Sequence, residues 1–233
     1  MLPQLTKFRG AALDLFFPQR CLGCGEEGDL LCRTCQKNLT KLMPPVCPKC
    51  GRPQPGGILC PACVSWKASI DGIRSPLKFA GLTREAVHQL KYKNLRSLAR
   101  PLANLLGEYL AANPLPAEAL VPVPLHPKRL RERGYNQSYL LARELGKILN
   151  LPVVDKSLER VKFVLPQAQT KSVDERHRNV REAFRCLNSI LKNQSVLLID
   201  DVATSGATLD ACARALKSAG AISVWGLVLA REI

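Results

Sequence analysis

Val196-Leu197-Leu198-Ile199-Asp200-Asp201-Val202-Ala203-Thr204-Ser205-Gly206-Ala207-Thr208 is the stretch on which the reading of this chain turns. Its first four residues form an apolar run short enough for a strand and apolar on both faces, the pattern of a central parallel strand. Two adjacent carboxylates follow, then a loop of small or hydroxylated residues. A helical pattern comes next, with Leu209, Cys212, Ala213 and Leu216 on one face and Gly220 placed to end it. Backbone N–H groups at such a helix start, with no bulky side chains in the way, can hold a phosphate dianion. Carboxylates at the strand end can accept hydrogen bonds from sugar hydroxyls, and ligands of open α/β sheets bind at that edge. An ordinary strand–turn–helix corner with its acids facing water competes with this reading, but the combination of adjacent acids and an unbroken small-residue loop is uncommon.

These residues closely resemble the phosphoribosyl pyrophosphate (PRPP) signature of type I phosphoribosyltransferases: an apolar strand, an acidic pair and a T-x-G-x-T-like loop. The resemblance implies that Asp200 and Asp201 hold the ribose 2- and 3-hydroxyls. It also implies that Thr204, Ser205, Gly206, Ala207 and Thr208 wrap the 5-phosphate.

The chain's 233 residues can hold one sizeable domain and a small one, and 46% hydrophobic residues suit a globular protein. Its formal charge is +15, and two zinc ions on eight thiolates would leave about +11. Such a balance points to polyanionic ligands, although a merely solubilising basic surface fits it equally. No stretch approaches the ~18–20 apolar residues of a membrane span. Residues 1–17 read as a short helix packing Leu5, Phe8, Ala12, Leu15 and Phe16 inward. Lys7, Arg9 and Asp14 interrupt any signal-peptide core, and surface attachment to a membrane is the minor alternative. The expectation is a cytoplasmic protein whose paired cysteines bind metal.

Residues 18–66 carry four C-x-x-C pairs: Cys21/Cys24, Cys32/Cys35, Cys47/Cys50 and Cys60/Cys63. Each pair suits a zinc knuckle, and four knuckles make two closed structural sites in a double zinc-ribbon module. Sequential pairing is favoured by the short intervals, and interleaved pairing remains open. Disulfides, a redox pair and an iron–sulfur cluster are the competing readings. Cys186 and Cys212 belong to neither site.

Near Trp66 the composition shifts to ordinary α/β patterning, so a second domain is expected over 70–233, with a hood over about 70–118 and a core over 119–233. In the hood, Ile73 to Phe79 suggests a strand. Thr83 to Tyr92 reads as a helix capped by Thr83, with Lys91 and Lys93 at its end, and Ser97 to Ala112 reads as another. Leu120 to Leu125 looks like a strand that Pro122 and Pro124 force out of the sheet early. A basic loop with Lys128, Arg129, Arg131 and Arg133 follows, then Gly134 at a turn and Asn136 capping a helix to about Leu149. Strand, basic loop and helix start make a second anion site, suited to a pyrophosphate. A solvated basic loop is the bland alternative.

The run P-V-P-L-H-P-x-R-x-R-x-R-G-Y-N-Q over 122–137 resembles the ComF/GntX family of competence proteins, as do the cysteine pairs and the 196–208 signature. The likeness spans essentially the whole chain. It implies a type I phosphoribosyltransferase-like open parallel sheet with a small cap, preceded by the zinc-ribbon domain. It places His126 to Arg133 at the pyrophosphate end of PRPP, whose cofactor is Mg²⁺. A strand is expected near Leu151 to Asp155. The polar stretch Glu159 to Ala183 then suits a lid, or a helix with a solvated arginine face. There Gln169, Arg176, Asn179, Ala183 and Phe184 match the family's Q…R-x-x-N…A-F pattern. Ile222 to Ala230 reads as a last buried strand.

The implied chemistry is phosphoribosyl transfer, with Lys128 and Arg129 receiving the pyrophosphate and Arg176 closing over it. The family is also associated with single-stranded DNA, natural transformation and other competence proteins, through which the chain could meet a membrane peripherally. A non-catalytic single-stranded DNA-binding factor, using the PRPP site as a sensor or not at all, is therefore the second reading. Aromatic residues at 5% leave few stacking platforms for it.

Overall fold

A computed structural model describes residues 19–161 and 183–233. The expected helix over 1–17, and Gln169, Arg176 and Asn179 of the expected lid, lie outside the described residues. In chain order the elements are α1 (Arg33–Lys37), α2 (Pro61–Val64), β1 (Gly72–Arg74), β2 (Leu77–Lys78), α3 (Gly81–Tyr92), α4 (Ala99–Ala112) and β3 (Ala119–Pro122). There follow α5 (Pro127–Arg133), α6 (Gln137–Leu149), β4 (Leu158–Arg160), β5 (Phe184–Cys186), β6 (Ser195–Ala203), α7 (Ala207–Ser218) and β7 (Ser223–Arg231).

The main sheet is parallel, in the order β1-β7-β6-β3, with β2 extending the β7 edge beyond β1. The apolar run 196–199 is its centre, flanked by β3 and β7 and buried on both sides. Successive residues of a strand face opposite ways. Thus Leu197 and Ile199 join the cluster under α3, α4 and α6, while Val196 and Leu198 join the cluster under α7, Leu158 and Phe184. α7 therefore covers one face beyond β6 and α6 the other, the arrangement that opens a crevice at the carboxyl edge of such sheets.

Several local expectations are corrected. β6 runs on through Asp200 and Asp201 instead of stopping before them. The strand expected over 73–79 is broken into β1 and β2 at Ser75 and Pro76, where proline offers no ladder N–H. α3 begins at Gly81 behind Ala80, and Thr83 lies inside the helix, 2% exposed, rather than capping it. The basic loop is a short helix, α5, because Pro127 presets its first turn and Gly134, at φ 77°, closes it. The strand expected at 151–155 is one bridge, Leu120 to Val153. Other readings hold: β3 leaves its ladder at Pro122, Asn136 caps α6, and Gly220, at φ 97°, follows α7.

The segment between the cysteine module and the sheet is tied down. Asp210 on α7, 3% exposed, accepts the Ser69 and Ile70 N–H groups at 2.6 and 3.1 Å and pairs with Arg214 at 3.0 Å. Asp71 pairs with Lys217 at 2.6 Å and accepts the Val224 N–H at 2.6 Å. Residues 70–118 contribute β1 and β2 to the main sheet and pack α4 beside α6. Among the described residues no helix is long and apolar enough to cross a membrane.

Candidate active site and metal centres

The eight cysteines gather as Cys21, Cys24, Cys32 and Cys35 and as Cys47, Cys50, Cys60 and Cys63, the four sulfurs of each set within 4.8 Å of one another. Pairing is thus sequential. A tetrahedral zinc with Zn–S of ~2.3 Å implies sulfur–sulfur edges of ~3.8 Å. Cys24 and Cys32 stand at 3.7 Å, as do Cys50 and Cys60. Backbone N–H groups point at the sulfurs: Gly23 and Cys32 donate to Cys21 Sγ at 3.4 Å, and Cys60 to Cys47 Sγ at 3.4 Å. Burial opposes the Cys47 thiolate, yet the N–H groups of Cys50, Cys60 and Lys49 bring it down to about 6. Burial and then the neighbouring Cys50 push Cys63 up. Four crowded thiols of this kind ionise together only around a cation, so both donor sets fit zinc.

The two centres differ in what they touch. Cys21 and Cys35 belong to the apolar cluster under α3 and α4, and a Cβ on Gly23 would stand 2.8 Å from Leu82 of α3. The second centre forms its own small cluster with Trp66. Beside it lies Arg231, 1% exposed, whose Nε and Nη1 have no hydrogen-bond partner among the described residues. Burial lowers the pKa of this guanidinium, while the thiolates of Cys50, Cys63 and Cys60 favour its charge.

At the carboxyl edge of the sheet, the expected residues other than Arg176 have positions. Asp201, 2% exposed, pairs with Lys91 at the end of α3 at 2.8 Å. Burial alone would lower the Lys91 pKa, but the charges of Asp201 and Asp200 raise it. Asp200 accepts the Ser138 hydroxyl at 2.8 Å and the Asp201 N–H at 2.9 Å through the same oxygen. Thr204 and Ser205 lead into Gly206, which caps α7 at φ 85° without a side-chain cap, and Ala207 donates its N–H to Ser205 Oγ at 3.3 Å. Ala207 and Thr208 form the first turn of α7, directly after this glycine.

The basic residues divide. Arg129 comes near Arg160 of β4, whose guanidinium pKa is lowered by burial and by the Arg129 charge, while Cys212 and Asp200 raise it. Arg160 thus lies within reach of both the Arg129 and the Asp200 charge. His126 caps α5, its Nδ1 accepting the Lys128 N–H at 3.2 Å. Arg133 is turned into the corner between α5 and α6, donating to Gln137 Oε1 and stacking 5.2 Å from Tyr92. Lys128 lies exposed on the first turn of α5. Arg176 falls outside the described residues.

Sequence reading gave no role to four side chains that organise this site. The Tyr135 hydroxyl donates to the Leu90 carbonyl, fixing the helix end that carries Lys91. Gln137 holds Arg133, and Ser138 holds Asp200. Arg52, from the cysteine module, donates to the Thr204 carbonyl at 3.2 Å. The first three stand in the G-Y-N-Q-S run itself, so the signal was present in the motif but not its assignment. Arg52 leaves no such trace.

Asp200 is pushed up to about 7, by burial first and then by the Asp201 charge, against the pull of Lys91 and Ser138. In the unfolded chain an aspartate titrates near ~3.9, so the folded state holds this proton more tightly. Stability should therefore fall as pH rises from about 4 to about 7 and level off above. Asp200→Asn should remove that slope and be more stable than the parent at pH 8 by ~1–3 kcal/mol, as measured by urea unfolding at pH 5 and pH 8.

Family models place these features in context. A double zinc ribbon domain matches residues 12–64 and a phosphoribosyl transferase domain matches residues 134–232. Competence protein F of Haemophilus influenzae is 33% identical over 92% of this chain and 99% of its own length. Competence protein ComFC of Bacillus subtilis is 30% identical over 87% of this chain and 84% of its own. DNA utilization protein YhgH of Escherichia coli K12 is 30% identical over 84% and 89%. Two tetracysteine centres ahead of a parallel sheet, joined to identity that runs nearly end to end with these relatives, make this chain a member of the ComF/GntX family.

Proposed function

We propose that the chain binds PRPP with Mg²⁺ at the carboxyl end of β6 and transfers its phosphoribosyl group, in a role linked to DNA uptake. The observation that supports this best is the continuity of β6, its acidic pair, the Gly206 turn and the start of α7 behind a glycine that brings no side chain to it. Asp200 and Asp201 would orient the ribose hydroxyls, with Asp201 sharing or releasing Lys91. The turn Thr204–Thr208 would receive the 5-phosphate. An acceptor nucleophile would bond to the anomeric carbon as pyrophosphate leaves it toward Lys128, Arg129 and Arg160, with His126 and Arg133 framing that end and Arg176 closing over it. Positive charge then builds on the ribose ring beside two acids, and negative charge on the leaving group beside cations. No covalent nucleophile is required.

Calorimetric titration of Mg²⁺–PRPP tests this. Asp201→Asn should bind about tenfold more weakly or worse, through loss of the charge on one hydrogen-bond acceptor, while still unfolding cooperatively at a lower midpoint because Lys91 loses its partner. Equal affinity in parent and variant would remove the assignment.

A second reading has its own observation. A groove of about 1110 Å³ separates the cysteine module from α4 and is lined by Arg33, Lys37, Lys41, Arg74, Tyr109 and Trp225. Glu108 is the sole acid among its described lining residues. Cations around aromatic rings suit a single strand, and the relatives named for competence and DNA utilization favour it. Steeply salt-dependent binding of an oligonucleotide without pyrophosphate release would select this reading over transfer.

A further inference from the structure

The second metal centre reaches the phosphate turn at three successive points. Its knuckle is closed by the Cys47 N–H donating to the Arg52 carbonyl at 2.8 Å and the Gly51 N–H to the Cys47 carbonyl at 2.9 Å. From this fixed base the Arg52 side chain extends to the Thr204 carbonyl. A carbonyl held in this way is not available to face a phosphate, which it would repel. Trp66, three residues after Cys63, packs on the cysteine cluster and also against Gly206: a Cβ there would stand 3.2 Å from Trp66 Cη2. Arg231, buried beside the same cysteines, is paired in the sheet with Ala203. Residues 203, 204 and 206 thus each have an anchor leading back to Cys47, Cys50, Cys60 and Cys63. The first centre packs instead against Leu82 and the cluster under α3.

We propose that the second tetracysteine centre, acting through Arg52 as a positioning residue, holds the Thr204–Gly206 turn in its phosphate-accepting shape. A phosphorylated sugar then binds tightly only when this centre carries its metal. The inference rests on the PRPP reading above and assigns to a structural metal the control of that site. By reciprocity, ligand in the turn must hold the metal in the second centre more firmly and leave the first unaffected.

The test uses the full chain with zinc bound. Arg52→Ala should keep two zinc ions per chain and its melting temperature, yet bind Mg²⁺–PRPP about tenfold more weakly, the value of one hydrogen bond from a charged donor. Arg52→Lys, which keeps the charge, should fall between and also serves if the alanine variant folds poorly. In the parent, PRPP should slow transfer of one of the two zinc ions to a colorimetric chelator, and in Arg52→Ala it should not. The chain's two tryptophans allow a readout that needs no ligand. With Trp225→Phe, Trp66 is the lone emitter, and adding Arg52→Ala should shift its emission. Equal PRPP affinity in parent and Arg52→Ala overturns the proposal, as does protection of both zinc ions or neither. If the parent binds no PRPP, the site reading fails separately. The coupling is then judged on Trp66, and unchanged emission overturns it.

Discussion

Cys47→Ser is expected to leave one zinc ion per chain and to cost more than about 3 kcal/mol of folding stability, far beyond the loss of one buried sulfur. Cys47 has no exposed surface and closes the knuckle on Arg52. With the metal lost, the remaining thiols lose the charge that compensates Arg231. That guanidinium then stands buried at the end of β7, with two nitrogens lacking partners among the described residues. An uncompensated buried charge typically costs ~3–5 kcal/mol. Damage should therefore spread from the small module into the main sheet. Cys24→Ser is the control: Cys24 is exposed, and this change should also remove one zinc, with a smaller effect on global unfolding. Adding Arg231→Met to Cys47→Ser should restore part of the loss. Zinc content by elemental analysis and urea unfolding at fixed pH measure each step.

Gly206→Val should abolish measurable PRPP binding, a loss beyond about a hundredfold, and should lower stability by ~3 kcal/mol or more. Two costs add. At φ 85° a β-branched residue adopts a left-handed backbone conformation it strongly resists. Its Cβ would also lie 2.7 Å from Ile73 Cδ1 and 3.2 Å from Trp66 Cη2, inside the packed wall beneath the turn. Relief requires moving the turn, and with it the first N–H groups of α7. Gly25→Ala separates the terms, because Gly25 has φ 77° but nothing within 4 Å of an added Cβ. It should show the conformational cost alone, ~1–2 kcal/mol, and leave PRPP binding unchanged. Calorimetry and denaturant unfolding of both variants supply the comparison.

The central strand, the turn and α7 were legible because their signals are local: four apolar residues, two acids, a glycine, then a helical period. The cysteine centres were legible for the same reason, since a knuckle is set by residues three apart. What sequence misplaced were boundaries set by sheet pairing. β6 extends over Asp200 and Asp201 because β7 supplies partners as far as Arg231, and no pattern within 196–203 encodes a neighbour's length. Thr83 looked like a cap from its residue type, but α3 starts two residues earlier and turns Thr83 into the buried side of the helix. The basic run 127–133 read as a loop because its charges hide any apolar period, while Pro127 and Gly134 sufficed to frame a helix. Arg52 to Thr204 spans 152 residues, and a contact that distant has no signature in one sequence.

The anchoring of residues 69–71 bears on how the molecule can be divided. Composition suggests a cut after Trp66, yet Asp210 takes its two backbone donors from Ser69 and Ile70 and Asp71 locks onto Lys217 and Val224. A fragment beginning past residue 72 would strand the Asp210 carboxylate against Arg214 alone and bare the flank of Trp225 that Gly72 covers. The two modules thus share a seam rather than a hinge, and neither half should behave as an independent folding unit.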